Sequence, residues 1–307
     1  DSLLDMAYVE RGRIHVAEGS FPEAIKDFGQ AVHIDSDNLA IVKDDFAKAH
    51  RLHGEQSFKL NQFHQAVMDF KQALDLDNTL APLVRTSLSQ SYYELAQEGL
   101  DNGNLDTALD HFDHALAVDP SMVLAFIGKG RCHLQMNVLD KADADFTAAI
   151  GLKPTDPVVH VHALMGRAEV RRSLGDPAAA VGDLTTALEL RPQPADPHLL
   201  ADCHQARGYL LIAREKRTVD DLESGIMDFS IAIDLDPAQE KALRVPLTQA
   251  YCDLGQMEIT HFDEKPSMTL INRAIESAPN YHQAYNNLGN SYEAKGDVEM
   301  ALEVLLD

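Results

Sequence analysis

Tryptophan is missing from this 307-residue sequence, and only 6% of the residues are aromatic. A β-sandwich core built on large rings is therefore disfavoured, while helices packed through small residues are favoured. Cysteine is scarce. Cys132, Cys203 and Cys252 are odd in number, far apart and free of any CxxC pair, so neither a zinc site nor a disulfide framework is expected, and the three thiols read as small core hydrophobes. No apolar run approaches the roughly 18 residues of a membrane span, and the amino terminus lacks a basic-then-apolar leader. The chain starts at Asp1 without Met, as a processed or trimmed chain would, so the compartment is left open, with the cytoplasm favoured. Basic residues are also few, 26 Lys+Arg against 49 Asp+Glu, for a net charge of -23. Such a field repels phosphate backbones and anionic lipid, which excludes nucleic acid and membrane insertion and leaves a basic protein segment as the expected partner.

Signatures of catalysis are lacking as well. There is no GxSxG, Walker A, GxGxxG or HExxH, and carboxylates are too abundant for one acid–base pair to stand out. The helical spacings of His50 with His53 and of His111 with His114 have no supporting Cys, and they read as solvated or packing histidines. No catalytic residue, metal or cofactor is expected, and the protein is not expected to be an enzyme.

What the sequence does contain is a repeat. The stretch from Ser121 to Pro154 carries landmarks at Phe126, Gly130, Ala142, Phe146, Ala149 and Pro154. Equivalent types stand 34 residues earlier at Tyr92, Ala96, Ala108, Phe112, Ala115 and Pro120. The frame recurs from Tyr8, Gly12, Ala24, Phe28 and Ala31 to Tyr285, Gly289, Ala301 and Leu305. With 45% hydrophobic residues, this predicts an all-α fold, an α-α superhelix or solenoid of about eight helix-turn-helix units forming a single domain over 1–307. The units run roughly 1–37, 38–79, 80–120, 121–154, 155–192, 193–237, 238–279 and 280–307, the first and last incomplete. Surplus residues from Asn38 to Phe46 and from Ala81 to Leu88 are expected to lengthen the leading helices by about two turns. The stretches 193–197, 214–223 and 254–266 are expected to be surface turns.

The spacings have physical reasons. Gly130 and Ala142 let two antiparallel helices approach closely, Phe126 and Phe146 fill the space beside them, and Pro154 stops the second helix. A second regularity concerns charge. The residue before the small landmark is Arg11, His53, Lys129, Arg167 or Arg207 in five units, and in those units an acid precedes the second-helix landmark: Asp27, Asp69, Asp145, Asp183 or Asp228. Where the first position is Leu95, Gln249 or Leu288, the second is His111, Leu270 or Val304. Five contacts between the paired helices are therefore expected, with charged atoms within about 4 Å.

The run from Tyr285 to Tyr292, followed by Gly296-Asp297 and Ala301, fits W-x-x-L-G-x-x-Y and its A-x-x-x-F continuation with substitutions. Over essentially its whole length the chain resembles a tetratricopeptide repeat (TPR) protein. That resemblance implies a concave groove lined by the first helices, which holds an extended or helical segment of another protein. It directs Tyr93, Gln97, Arg131, Glu169, Arg172, Tyr209, Asn286, Asn287 and Asn290 toward the partner, together with Ile127, Met165 and Gln205. Asn287 and Asn290 match positions where related proteins hold a peptide backbone. The residue set of a carboxyl-terminal clamp is absent from any three consecutive units, and the slot of Asn287 holds Glu10, Leu52, Glu94, Gly128, Gly166 and Ala206 elsewhere, so no asparagine ladder forms. The implied function is a non-catalytic interaction scaffold. The alternatives are a structural subunit that self-associates through uncapped ends, or the regulatory arm of a larger enzyme.

Overall fold

A computed structural model describes residues 2–190, 196–261, 264–277, 282–294 and 297–306. Among them the regular structure is helical, with sixteen α-helices. One compact unit, Asp1–Leu152, holds α1 (Ser2–Glu18), α2 (Phe21–Ile34), α3 (Asn38–Lys59), α4 (Phe63–Leu76), α5 (Ala81–Asp101), α6 (Leu105–Val118), α7 (Val123–Gln135) and α8 (Leu139–Gly151). The other, Lys153–Asp307, holds α9 (Pro157–Ser173), α10 (Pro177–Glu189), α11 (Pro197–Ile212), α12 (Val219–Leu235), α13 (Glu240–His261), α14 (Glu264–Ser277), α15 (His282–Ala294) and α16 (Val298–Leu306). In each unit the odd-numbered helix pairs with the even-numbered helix that follows it.

The second helices are set by apolar residues at i, i+4 and i+7, which share one face. Ala24, Phe28 and Ala31 are fully buried, as are Ala66, Phe70 and Ala73, and Ala108, Phe112 and Ala115. Small residues in the first helices make room for the rings. On α7, a Cβ added to Gly128 would lie 2.2 Å from the Phe112 ring, and one added to Gly130 would lie 2.9 Å from the Phe146 ring. The two glycines thus seat one aromatic from the preceding pair and one from their own.

The first five turns between paired helices each use a left-handed residue. Gly19, Gly103 and Gly175 have φ of 78°, 74° and 83°, and Asn61 and Asn137 take the same place at 58° and 57°. The next amide then reaches back to the helix it has left. Ser20 donates to His15 O at 2.9 Å, Asn104 to Gly99 O at 2.8 Å and Val138 to His133 O at 2.8 Å. These bonds satisfy carbonyls that the helix end would leave without partners. Four of the second helices end differently, on an extended aspartate: Asp35, Asp77, Asp119 and Asp236 donate their amides to Ala31, Ala73, Ala115 and Ala232. The Asp77 carboxylate then accepts from the Thr79 amide at 2.9 Å, and Asp119 from Ser121 at 3.2 Å. Each aspartate closes one helix and shapes the connection to the next.

The lengthened leading helices are present: α3 starts at Asn38 and α5 at Ala81. Of the expected surface turns, 214–223 is half helical and 254–266 largely helical. Of 214–223, the segment from Val219 onward belongs to α12, because Thr218 and Asp221 form a reciprocal capping box and Leu222 is fully buried against Ala250 and Leu254. Of 254–266, residues up to His261 continue α13 and those from Glu264 open α14, while 262–263 lie outside the described residues. Leu254 is buried, so the helix has an apolar face to continue on. Pro192, residues 193–195, Pro279 and Gly296 also lie outside the described residues.

Candidate functional site

The acids that precede the second-helix landmarks meet the first helices at close range. Arg11 binds Asp27 in a two-bond fork, Nη2 to Oδ1 at 2.6 Å and Nε to Oδ2 at 2.8 Å. Arg167 repeats the fork on Asp183 at 2.7 and 3.0 Å, and Arg207 on Asp228 at 2.8 Å for both bonds. His53 Nδ1 lies 2.7 Å from Asp69 Oδ2. Lys129 is the exception in emphasis. Its Nζ is 3.9 Å from Asp145 and 2.6 Å from Asp113 on the preceding helix, because a flexible ammonium stem can turn to the nearer exposed carboxylate.

A second basic residue, one helical turn away, also reaches these acids. His133 Nδ1 sits 2.6 Å from Asp145, Arg171 Nη1 2.9 Å from Asp183, and His15 Nε2 3.6 Å from Asp27, all four residues after the first base. His50 and His204, three residues before it, reach Asp69 at 2.8 Å and Asp228 at 2.7 Å. Asp27, Asp69, Asp183 and Asp228 are buried, so two donors each are the means by which a buried carboxylate stays satisfied. The hydrogen bond from Arg11 holds the Asp27 carboxyl below the ordinary range. At Asp69 and Asp228 burial pushes upward, but the bonds from His50 and Gln65, and from Arg207 and His204, outweigh it and the carboxyl again lies low. The recurrence of a base at +4 or −3 was present in the sequence as a signal beside the pairing rule.

The residues expected to face a partner are divided among several places. In the first unit, Tyr93 is half-buried with its ring 5.9 Å from Phe112, and its hydroxyl accepts from Gln97 Nε2 at 2.5 Å. Ile127 is 9% exposed, whereas Arg131 is open to solvent. In the second unit, Met165, Glu169, Arg172, Gln205 and Tyr209 come together around one cavity of about 790 Å³. Ala168, Leu184, Ala206 and Leu210 line its inner part, and the turn at Gly175 and Pro177 closes one end. Glu169 accepts from Arg172 Nε at 2.9 Å, which lowers the Glu169 carboxyl and neutralises the pair at the rim. Tyr209 remains 40% exposed, its ring edge-on to Phe229 at 5.2 Å.

Asn287 differs from its expected exposure. It is buried, and its amide donates to the Cys252 carbonyl at 3.4 Å, so it packs α15 onto α13. Asn286 and Asn290, on the neighbouring faces of the helix, are exposed. Cys132, Cys203 and Cys252 are fully buried, and burial pushes their thiols up to about 11, about 12 and about 11. Among the described residues, no group of three or more His, Cys, Asp or Glu is placed to hold a metal ion, and no helix is long and apolar enough to cross a membrane.

Helix hairpins joined through small residues, rings and left-handed turns define a helical repeat protein. Tetratricopeptide repeat models match residues 93–157 and 270–303, so the chain carries tetratricopeptide repeats. It is similar to tetratricopeptide repeat protein 13 of Homo sapiens, 27% identical over 199 residues, which cover 62% of this chain and 20% of that one. Similarity to the tetratricopeptide repeat-containing protein trd-1 of Caenorhabditis elegans is 25% over 174 residues, 57% of this chain and 19% of that one. The chain therefore spans about a fifth of the length of these relatives. Among solved structures, YrrB, described as a TPR protein with an unusual peptide-binding site, superposes with a TM-score of 0.45 at 19% identity, over 63% of this chain and 88% of that one.

Proposed function

We propose that the chain is a non-catalytic interaction module that holds a segment of another protein against its first helices. The observation that carries this reading is the cavity between α9 and α11, where five first-helix side chains converge on an apolar interior. Pockets of this kind, largely apolar with a few polar groups, are where ligands dock. The perturbed carboxylates support the same reading, because Asp27, Asp69 and Asp228 are engaged in joining helix to helix rather than held ready for proton transfer. The net charge of -23 favours a basic segment. The test is a photo-crosslinking amino acid at position 209, compared with one at exposed Met227 on α12. Capture of one partner from position 209 alone, lost when Glu169 and Arg172 are both replaced by alanine, is expected. Equal capture from both positions would refute the assignment.

A second reading concerns context. The chain covers only 20% and 19% of its curated relatives, which favours its acting as the interaction arm of a longer protein. The full reading frame tests that.

A further inference from the structure

The shape and lining of the α9–α11 cavity bear on what form a bound segment takes. Its wall on α9 is Met165, Ala168, Glu169 and Arg172, the i, i+3, i+4 and i+7 positions of one helix face. Its wall on α11 runs from Gln205 through Ala206 and Tyr209 to Ala213. At 1.5 Å per residue these faces are about 10 to 12 Å long, the length of two helical turns. The floor is low and apolar. Ala168, Leu184 and Leu210 are buried there and pack with half-buried Met165 and Ala206. Two alanines facing each other at the floor allow a thick element to sit deep, while Met165 and Tyr209 stand up as walls.

The hydrogen-bonding capacity of the walls is small. Both are helices, so their backbone groups are already bonded within the helix and offer nothing to a strand. Arg172 is committed to Glu169, which leaves Gln205 and the Tyr209 hydroxyl as the free polar side chains of the lining. An extended segment pressed into this trough would bury several of its own N–H and C=O groups without partners, and each such group is costly. A helix satisfies its backbone internally and presents apolar side chains at the same i, i+3, i+4, i+7 spacing as the α9 wall.

We propose that this trough receives about two turns of an amphipathic helix from a partner protein, apolar on the buried face and rich in Lys or Arg on the outer face. The apolar stripe matches Ala168, Leu184, Ala206 and Leu210, and the adaptable Met165 side chain closes over it. The basic face matches the field of a chain carrying -23. This inference rests on the interaction reading given above and specifies the form and charge of what that site takes.

The test uses the full chain and three labelled peptides of about 15 residues. One is a side-chain-stapled helix with leucine at i, i+3, i+4 and i+7 and lysine on the outer face. The second carries the same residues alternating leucine with lysine around a central proline, and the third is the stapled helix with glutamate in place of lysine. Fluorescence anisotropy is expected to show the first binding at least about tenfold more tightly than either of the others. Its binding should fall at least about tenfold with Ala206→Phe, which fills the trough, and also with Tyr209→Ala, which removes one of its walls. Circular dichroism checks that both variants fold. If the alternating peptide binds as tightly and is equally sensitive to Tyr209→Ala, the helical form is overturned while the interaction site stands. If the glutamate helix binds as tightly, the basic face is overturned. If no peptide responds to either substitution, the interaction site itself falls, and this inference with it.

Discussion

Asp228 lies on α12 with 1% of its surface exposed, and Arg207 on α11 grips both of its carboxylate oxygens at 2.8 Å. His204 adds a third bond at 2.7 Å. Neither base is redundant, since a carboxylate this deep must replace the water that would otherwise solvate it. Arg207→Leu is expected to destabilise the α11–α12 hairpin by about 2 kcal/mol, less than the ~3–5 kcal/mol of a fully buried pair because Arg207 keeps some solvent contact and His204 remains. Replacing His204 as well is expected to cost more than the sum of the single changes, because the carboxylate is then stranded. Hydrogen exchange of α12 amides in a double-mutant cycle measures it, and strict additivity would contradict the shared-acceptor geometry.

The same carboxylates set a pH limit. Asp27, Asp69 and Asp228 titrate below the ordinary 3.8 in the folded chain, and their partners are lost on unfolding. A depressed folded pKa contributes stability that is present above the unfolded value and lost as pH falls through the folded one. Helical signal at 222 nm is therefore expected to hold from neutral pH to about pH 4 and to fall below it. Asp228→Asn should blunt the acid-dependent part of the loss while lowering stability at neutral pH.

Gly128 offers a test of packing. A side chain there meets the Phe112 ring at 2.2 Å, whereas Gly151 at the end of α8 has open space around its Cβ position. Gly128→Ala is expected to cost about 1–3 kcal/mol through displacement of the ring, despite the better helix propensity of alanine. Gly151→Ala is expected to be neutral or slightly stabilising. Thermal melts of the two variants make the comparison, and equal behaviour would show that ring contact is not what selects glycine on α7.

Turn chemistry gives another. Asn137 sits at φ 57° where other turns use glycine. Asn137→Ala is expected to lose about 1 kcal/mol, since alanine has no side-chain polar group to offset the left-handed conformation, while Asn137→Gly is expected to preserve stability. Urea midpoints of the two variants decide it.

Much of this was legible because the period forces it. A ring at Phe146 needs a glycine at Gly130, and a buried acid at Asp183 needs a base on the facing helix, so residue types at fixed offsets report contacts directly. What escaped notice were features that break no pattern or rest on burial. Leu222 looked like part of a charged turn because its neighbours Asp220, Asp221 and Glu223 are acidic, yet these acids belong to a helix start and Leu222 to the core. Asn287 matched a surface position by register, but burial depends on how closely α13 approaches α15, which one-dimensional spacing does not carry. The second base is a histidine on Asp27, Asp69, Asp145 and Asp228, and among fourteen histidines these four do not stand out. The α9–α11 cavity depends on both helices in place, although the repeat register puts Met165, Glu169, Arg172, Gln205 and Tyr209, five of its lining residues, on the first helices.

The three cysteines give the molecule a set of native clocks. Each thiol is sealed within a different leading helix, Cys132 in α7, Cys203 in α11 and Cys252 in α13, and burial suppresses the thiolate that alkylating reagents require. Labelling of each site therefore waits for its own helix to open. Mass spectrometry of the labelled chain can time those openings one by one without adding a foreign probe. A partner that settles between α9 and α11 should slow the reaction at Cys203 and leave the rate at Cys132 unchanged.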